Sequence, residues 1–262
     1  MGRVDVDGVG ISWHEVGRED APAVVFLHSL GSDGSMWAPQ AEALAPDYRV
    51  VLPDMRGHGA SDAPSGPYSM ARLVADVTAI ADAAGIDRFH LCGLSIGGQM
   101  TLSAAGGHQD RIASAIACNT SPRFGTDEFW RARIAAIREG GMESIRETVI
   151  DRWFAGGFAD NHPDWFAEAN AVFASTPVEG YIGCCEVLAT SDLRDSVSSI
   201  SLPTLVVGGE LDISALPAES EWLHSQIPGS RLEIIAGAAH LSNLDRPEVF
   251  TELVRDWLSE QG

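Results

Sequence analysis

The chain contains no lysine: all 17 of its basic residues are arginine. Imine chemistry on a lysine amine is thereby excluded. Positive charge is scarce altogether. Set against 37 acidic residues it leaves a net charge of −20, which argues against nucleic acid or an anionic membrane surface as a partner and fits a soluble protein. Long apolar runs are missing as well. Stretches such as Ala23-Val24-Val25-Phe26-Leu27 fall far short of the roughly 20 residues a spanning helix needs. The opening segment from Met1 to Asp7 has no basic start followed by an apolar stretch, so no secretory signal is expected. Cysteine is sparse. Cys92, Cys118, Cys184 and Cys185 show no C-x-x-C spacing and no Cys/His grouping of the zinc-binding kind. Reduced thiols in a cytoplasm are expected, with Cys92 a small buried hydrophobe and not a nucleophile. Internal repeats and low-complexity linkers are also lacking.

What is present is strand–helix alternation. The spacing predicts strands at Val9–Val16, after a turn at Asp7-Gly8, and at Ala23–Leu27, Arg49–Leu52, Phe89–Leu94 and Ile112–Cys118. Helices are expected at Met36–Leu44, at Ser69–Ala84 with Ser69 as N-cap, and at Ile96–Gly106. Such alternation predicts an α/β fold, a mostly parallel sheet flanked by helices, with its binding site at the carboxyl ends of the strands. From about Ser121 to Ser191 the pattern turns helical throughout. Strands then resume near Pro203–Gly208 and Arg231–Ala236, with helices near Ala218–Gln226 and Pro247–Leu258. The expectation is a core of residues 1–120 and 192–262, interrupted by a helical cap at 121–191 over the strand ends.

One short pattern carries chemistry. In "FHLCGLSIGGQM", Gly93-x-Ser95-x-Gly97 lies where a strand meets a helix. A serine lifted clear of a sheet on a tight turn needs small flanking residues, and the N–H of the next residue, Ile96, then faces the same space. A serine hydroxyl needs a base. Eight histidines compete. In a serine–acid–histidine order along the chain, only His162, His224 and His240 lie late enough. His162 falls in the helical insertion and His224 inside a predicted helix. His240, in "AGAAHLSN", follows a strand directly and is the candidate base. By the same reasoning "LVVGGELD" offers Asp212 as the acid, with Glu210 as its rival. The position after the earlier strand reads Cys118-Asn119-Thr120 and has no carboxylate. In "FLHSLGSDGSMW" the N–H of Leu30 is the candidate to join that of Ile96 in an oxyanion hole. His28 shapes this loop, and His58 in "RGHG" supports a turn.

The segments "HSLGSDGSMW", "LPDMRGHGASDAP", "GLSIGG", "GGELD" and "AAHLSNLDRPE", in this order, resemble the α/β-hydrolase superfamily over essentially the whole chain. Within it, Ser29-Leu30-Gly31, "SGPYSM", "ACNTS", "DRWF", "EGYIGCCE", "SDLRDSV" and "HLSN" resemble the 3-oxoadipate enol-lactonases. Glu210 and His28 depart from that pattern. The resemblance implies a serine hydrolase that opens an enol-lactone through an acyl-enzyme on Ser95, with no metal or organic cofactor. It further implies a small substrate, a lactone or ester, bearing a free carboxylate. Six arginines fall between Ser121 and Ala155, and among them Arg133 is the expected carboxylate clamp, with Trp130 as an apolar wall. Carboxylesterases, perhydrolases and C–C bond hydrolases use the same triad and remain open. A non-catalytic receptor on this fold would be expected to lack one of the three residues. Enzymes of this fold with an aspartate nucleophile are disfavoured by Ser95.

Overall fold

The computed structural model describes residues 1–261. Eight strands form one sheet: β1 (Gly2–Val6), β2 (Val9–Val16), β3 (Ala23–Leu27), β4 (Arg49–Pro53), β5 (Phe89–Leu94), β6 (Ile112–Cys118), β7 (Thr204–Gly209) and β8 (Arg231–Ile235). Their order across the sheet is β1-β2-β4-β3-β5-β6-β7-β8. The β1–β2 and β2–β4 pairs are antiparallel, and every later pair is parallel. In β3, β4, β5 and β7 every residue is buried, as a strand covered by helices on both faces requires.

Three helices link the first strands: α1 (Ala38–Leu44), α2 (Met70–Ala83) and α3 (Ile96–Gly107). Ser69 caps α2, its hydroxyl accepting from the Arg72 N–H. The helix expected from Met36 to Leu44 is divided. A 3-10 turn spans Gly34–Trp37, and α1 begins at Ala38 with Pro39 in its first turn, where a proline ring is tolerated because no N–H is needed there. Strand β1 was not expected. It pairs with β2 through a two-residue turn in which Asp7 and Gly8 both have positive φ, 54° and 81°, the geometry that suits a twisted hairpin.

Between β6 and β7 the alternation gives way to α4 (Asp127–Gly140), α5 (Glu143–Trp153), α6 (Phe158–Asn161), α7 (Pro163–Ser175) and α8 (Val178–Thr190). Aromatic rings hold this insertion together. Phe154 stacks on Phe158 at 4.0 Å, and Phe173 meets Trp153 and Tyr181 edge-on at 5.7 and 5.8 Å. It seats closely on the strand ends. A methyl group on Gly57 or Gly180 would run into the other's backbone, so both glycines are needed for α8 to meet the turn after β4. The chain closes with α9 (Pro217–Gln226), α10 (Ser242–Asp245) and α11 (Pro247–Glu260). Among the described residues, no helix is long and apolar enough to cross a membrane.

Candidate active site

Ser95 stands between β5 and α3 with φ 63° and ψ −120°, a region that L-residues other than glycine avoid. Its backbone is fixed on both sides. The N–H donates to the Cys118 carbonyl at 3.0 Å, and the carbonyl accepts from the Thr120 hydroxyl at 2.8 Å and the Gln99 N–H at 3.1 Å. A side chain on Gly93 would strike the carbonyl of Gly97, and one on Gly97 that of Leu27. Glycine at both positions lets α3 approach β3 and β5 closely enough to force the turn.

The parallel register aligns the ends of β5, β6 and β7, with Leu94 opposite Cys118 and Cys118 opposite Val207. The loops leaving these strands therefore converge. Asp212, in the loop after β7, accepts at Oδ2 from His240 Nδ1 at 2.9 Å. Its Oδ1 accepts from the N–H groups of Ser214 and Ala215 at 2.7 and 3.0 Å. Both side chains are buried. Burial alone would raise the Asp212 pKa. The His240 charge and hydrogen bond, with donors from Asn119 and Ala215, instead hold it below the usual carboxylate range. With Nδ1 engaged by Asp212, the other ring nitrogen of His240 is turned away from the carboxylate. His240 and Ser95 line the same cavity. Glu210, the rival acid, is exposed and accepts from the Gly237 N–H. It braces the loop ahead of His240.

One residue was not singled out by the sequence. Asn119, at φ 45°, donates from Nδ2 to Asp212 Oδ2 at 3.0 Å and to the Ala239 carbonyl at 3.1 Å, while its Oδ1 accepts from the Ser242 hydroxyl at 2.5 Å. It thus ties the aspartate loop to the histidine loop from the end of the strand between Ser95 and Asp212. The signal was a polar residue where an acid could have stood.

The loop after β3 is held by two neutral histidines. His28 Nε2 accepts from the Met55 N–H at 2.9 Å and His58 Nε2 from the Gly31 N–H at 3.1 Å. Burial pushes both rings down, His58 to about 3 with help from His28, so both remain acceptors. The Ser29 N–H donates to Met36 Sδ. Between Ser29 and Gly31, the Leu30 N–H has no acceptor among the described residues. Ile96 is the first residue of α3, where a backbone N–H has no partner in a preceding turn. These two amides are available donors beside Ser95.

The cavity measures about 210 Å³ and is lined by Ser95, His240, Leu30, Trp130, Arg133 and Arg152 among others. Trp130 is buried, its Nε1 donating to the Phe124 carbonyl. The Arg133 guanidinium lies 4.9 Å from the Phe129 ring centre and 5.2 Å from that of Trp130, and reaches the Tyr181 hydroxyl at 3.4 Å. Nearby Arg131 and Arg146 pair with Asp127 and Glu143. Among the described residues, Arg133 and Arg152 have no ion-pair partner. Arg152 was counted among the six arginines of the insertion but not picked out. The described residues contain no cluster suited to a metal ion. A serine that shares a cavity with an imidazole held by a buried carboxylate, together with two arginines outside any ion pair, is a set of groups suited to acyl transfer on an anionic substrate.

A sequence profile described as the alpha/beta hydrolase fold matches residues 22–151. The chain belongs to the α/β-hydrolase family. Within that family it is similar to enol-lactonases. The 3-oxoadipate enol-lactonase 2 of Acinetobacter baylyi is 36% identical over 246 residues, 94% of this chain and 92% of that protein. The crystal structure of the enol-lactonase from Burkholderia xenovorans LB400 superposes with a TM-score of 0.96 at 38% identity, covering 98% of this chain and 100% of that one. A thermophilic esterase from Thermogutta terrifontis, solved with malate bound, gives a TM-score of 0.93 at 29% identity over 100% of this chain and 99% of that one.

Proposed function

We propose that this ester-hydrolysing enzyme opens an enol-lactone bearing a free carboxylate, 3-oxoadipate enol-lactone being the best candidate, through an acyl-enzyme on Ser95. The observation that supports the reading most is the joining, in one small cavity, of Ser95, His240 and two arginines without acidic partners. A volume of about 210 Å³ is below the usual range for drug-sized ligands, roughly 300–1,000 Å³. It suits a compact acid better than a long lipid.

On this reading His240 takes the Ser95 proton as Oγ attacks the lactone carbonyl. The oxyanion is held by the N–H groups of Leu30 and Ile96, each worth about 2.7–4 kcal/mol in comparable sites. The ring C–O bond breaks, and His240 returns the proton to the departing enol oxygen. The freed enol then relaxes to a ketone. Water, deprotonated by His240, attacks the acyl-enzyme; Ser95 leaves as the hydroxyl, and a second carboxylate is released. Asp212 orients His240 and stabilises its charged form without taking the proton, and Asn119 orients Asp212. Residues 121–191 serve as a cap that supplies Trp130 as a wall and Arg133, with Arg152, as the carboxylate clamp. The enzyme works in the cytoplasm, where its four free, buried cysteines stay reduced. Similarity to the malate-bound esterase supports a second reading, an esterase acting on simple carboxylate-bearing esters.

Arg133→Gln tests the clamp. The kcat/KM for the anionic lactone is expected to fall by roughly 10- to 100-fold, as for a lost hydrogen bond to a charged group, and much less for neutral p-nitrophenyl acetate. An unchanged lactone value would remove Arg133 from the site.

A further inference from the structure

We propose that Trp153 is the wall that limits the length of apolar chain the active-site cavity accepts, and that a longer uncharged chain would enter the pocket behind it. The proposal rests on the ester-hydrolase reading of the cavity and names a specificity determinant within it. Trp153 ends α5 and lines two cavities at once. One is the cavity of about 210 Å³ that holds Ser95 and His240. The other, about 50 Å³, is walled mainly by Met36, Pro39, Trp165, Ala169, Val172 and Leu241.

The indole is a fixed partition. It is buried, and its ring meets Phe173 edge-on at 5.7 Å and Phe154 at 6.3 Å. The backbone carbonyl of Trp153 accepts from the N–H of Leu241 at 2.8 Å, the residue after His240. The wall is thus anchored to the loop that carries the base, and its position relative to Ser95 is set by the fold. The chemistry of the two compartments differs. The first holds Arg133 and Arg152 and suits an anion. The second has no cation, and its polar groups are Ser32, Ser35 and the carboxylate of Glu168. An anionic chain end would be repelled there by Glu168, whereas an alkyl chain would exchange water for apolar side chains at about fourfold in affinity per methylene.

The test compares kcat/KM across two series, p-nitrophenyl esters from acetate to octanoate and acetate esters of straight-chain alcohols of the same lengths. The proteins are wild type, Trp153→Ala, Trp153→Phe, and Trp153→Ala combined with Ala169→Phe, which refills the rear pocket from a residue that lines it and not the first cavity. Wild type is expected to favour the short members. Trp153→Ala is expected to raise the ratio of the longest to the shortest member by about tenfold or more in one series, as for two or more newly buried methylenes, and the double variant to abolish the gain. If the alanine variant does not fold, Trp153→Phe decides the matter, with a smaller rise in the same ratio. An unchanged ratio in both series for a folded variant overturns the proposal, as does a gain that survives Ala169→Phe. A wild type inert toward every ester would sink the hydrolase reading itself; an active wild type with unshifted variants sinks only the wall.

Discussion

Ser95 is set apart by its backbone as much as by its hydroxyl. A non-glycine residue held at φ 63° stores strain of order 1–3 kcal/mol, sustained here by hydrogen bonds on both of its peptide groups. Glycine would relieve the strain and alanine would not. Ser95→Gly is therefore expected to melt above Ser95→Ala, by a Tm difference equivalent to about 1 kcal/mol or more; equal Tm values would mean that the turn is unstrained. The serine was legible because its requirement is local: a tight strand-to-helix turn needs Gly93 and Gly97 within two residues of it. Asp212 and His240 were legible because each follows a strand whose end points to the same edge. Asn119 was not. Its task depends on three strand ends meeting, and nothing in "CNTS" states which loops lie on either side. Arg152 escaped for a similar reason, since helical spacing alone does not tell which of six arginines faces the cavity.

At the scale of elements, the turn after β4 joins the core to the insertion. Arg56 forms a buried bidentate pair with Asp76 of α2, at 2.6 and 2.9 Å with side chains only 5% exposed. Beside it, Met55 donates to His28, Gly57 meets Gly180 of α8, and the Arg56 carbonyl lies 3.9 Å from Cys184 Sγ. Removing one partner leaves a buried charge uncompensated, which costs about 3–5 kcal/mol. Asp76→Ala is expected to lose that much in denaturant unfolding, and Arg56→Met added to Asp76→Ala to recover part of it. A loss no larger than for an exposed pair would show that the pair is not the mainstay of this junction. The central strands were legible from unbroken apolar runs. Strand β1 was missed because its alternation, Arg3-Val4-Asp5-Val6, is short and its inward face is only half-buried. The split ahead of α1 turned on Pro39, which periodicity does not weigh.

Over the whole molecule, a charge of −20 surrounds a cavity whose own charged residues include Arg133 and Arg152, neither of them in an ion pair. Three buried histidines make folding pH-dependent. Burial lowers His28, and lowers His58 to about 3 and His90 to about 4, from 6.5. In each case the unfolded chain binds a proton that the native state refuses. Stability is therefore complete above about pH 6.5 and falls as pH drops through 6.5 toward 4. Between pH 6.5 and 5, above the carboxylate range, unfolding is expected to take up protons, about two per molecule from His58 and His90 with a further contribution from His28; a flat stability profile there would mean that these rings titrate freely. The central claim is that Ser95 performs the chemistry on an enol-lactone. Its most direct test is kcat/KM for 3-oxoadipate enol-lactone, wild type against Ser95→Ala. The account predicts rapid ring opening by wild type and a loss of about 10⁴-fold or more in the folded variant. Opening retained by Ser95→Ala would contradict it.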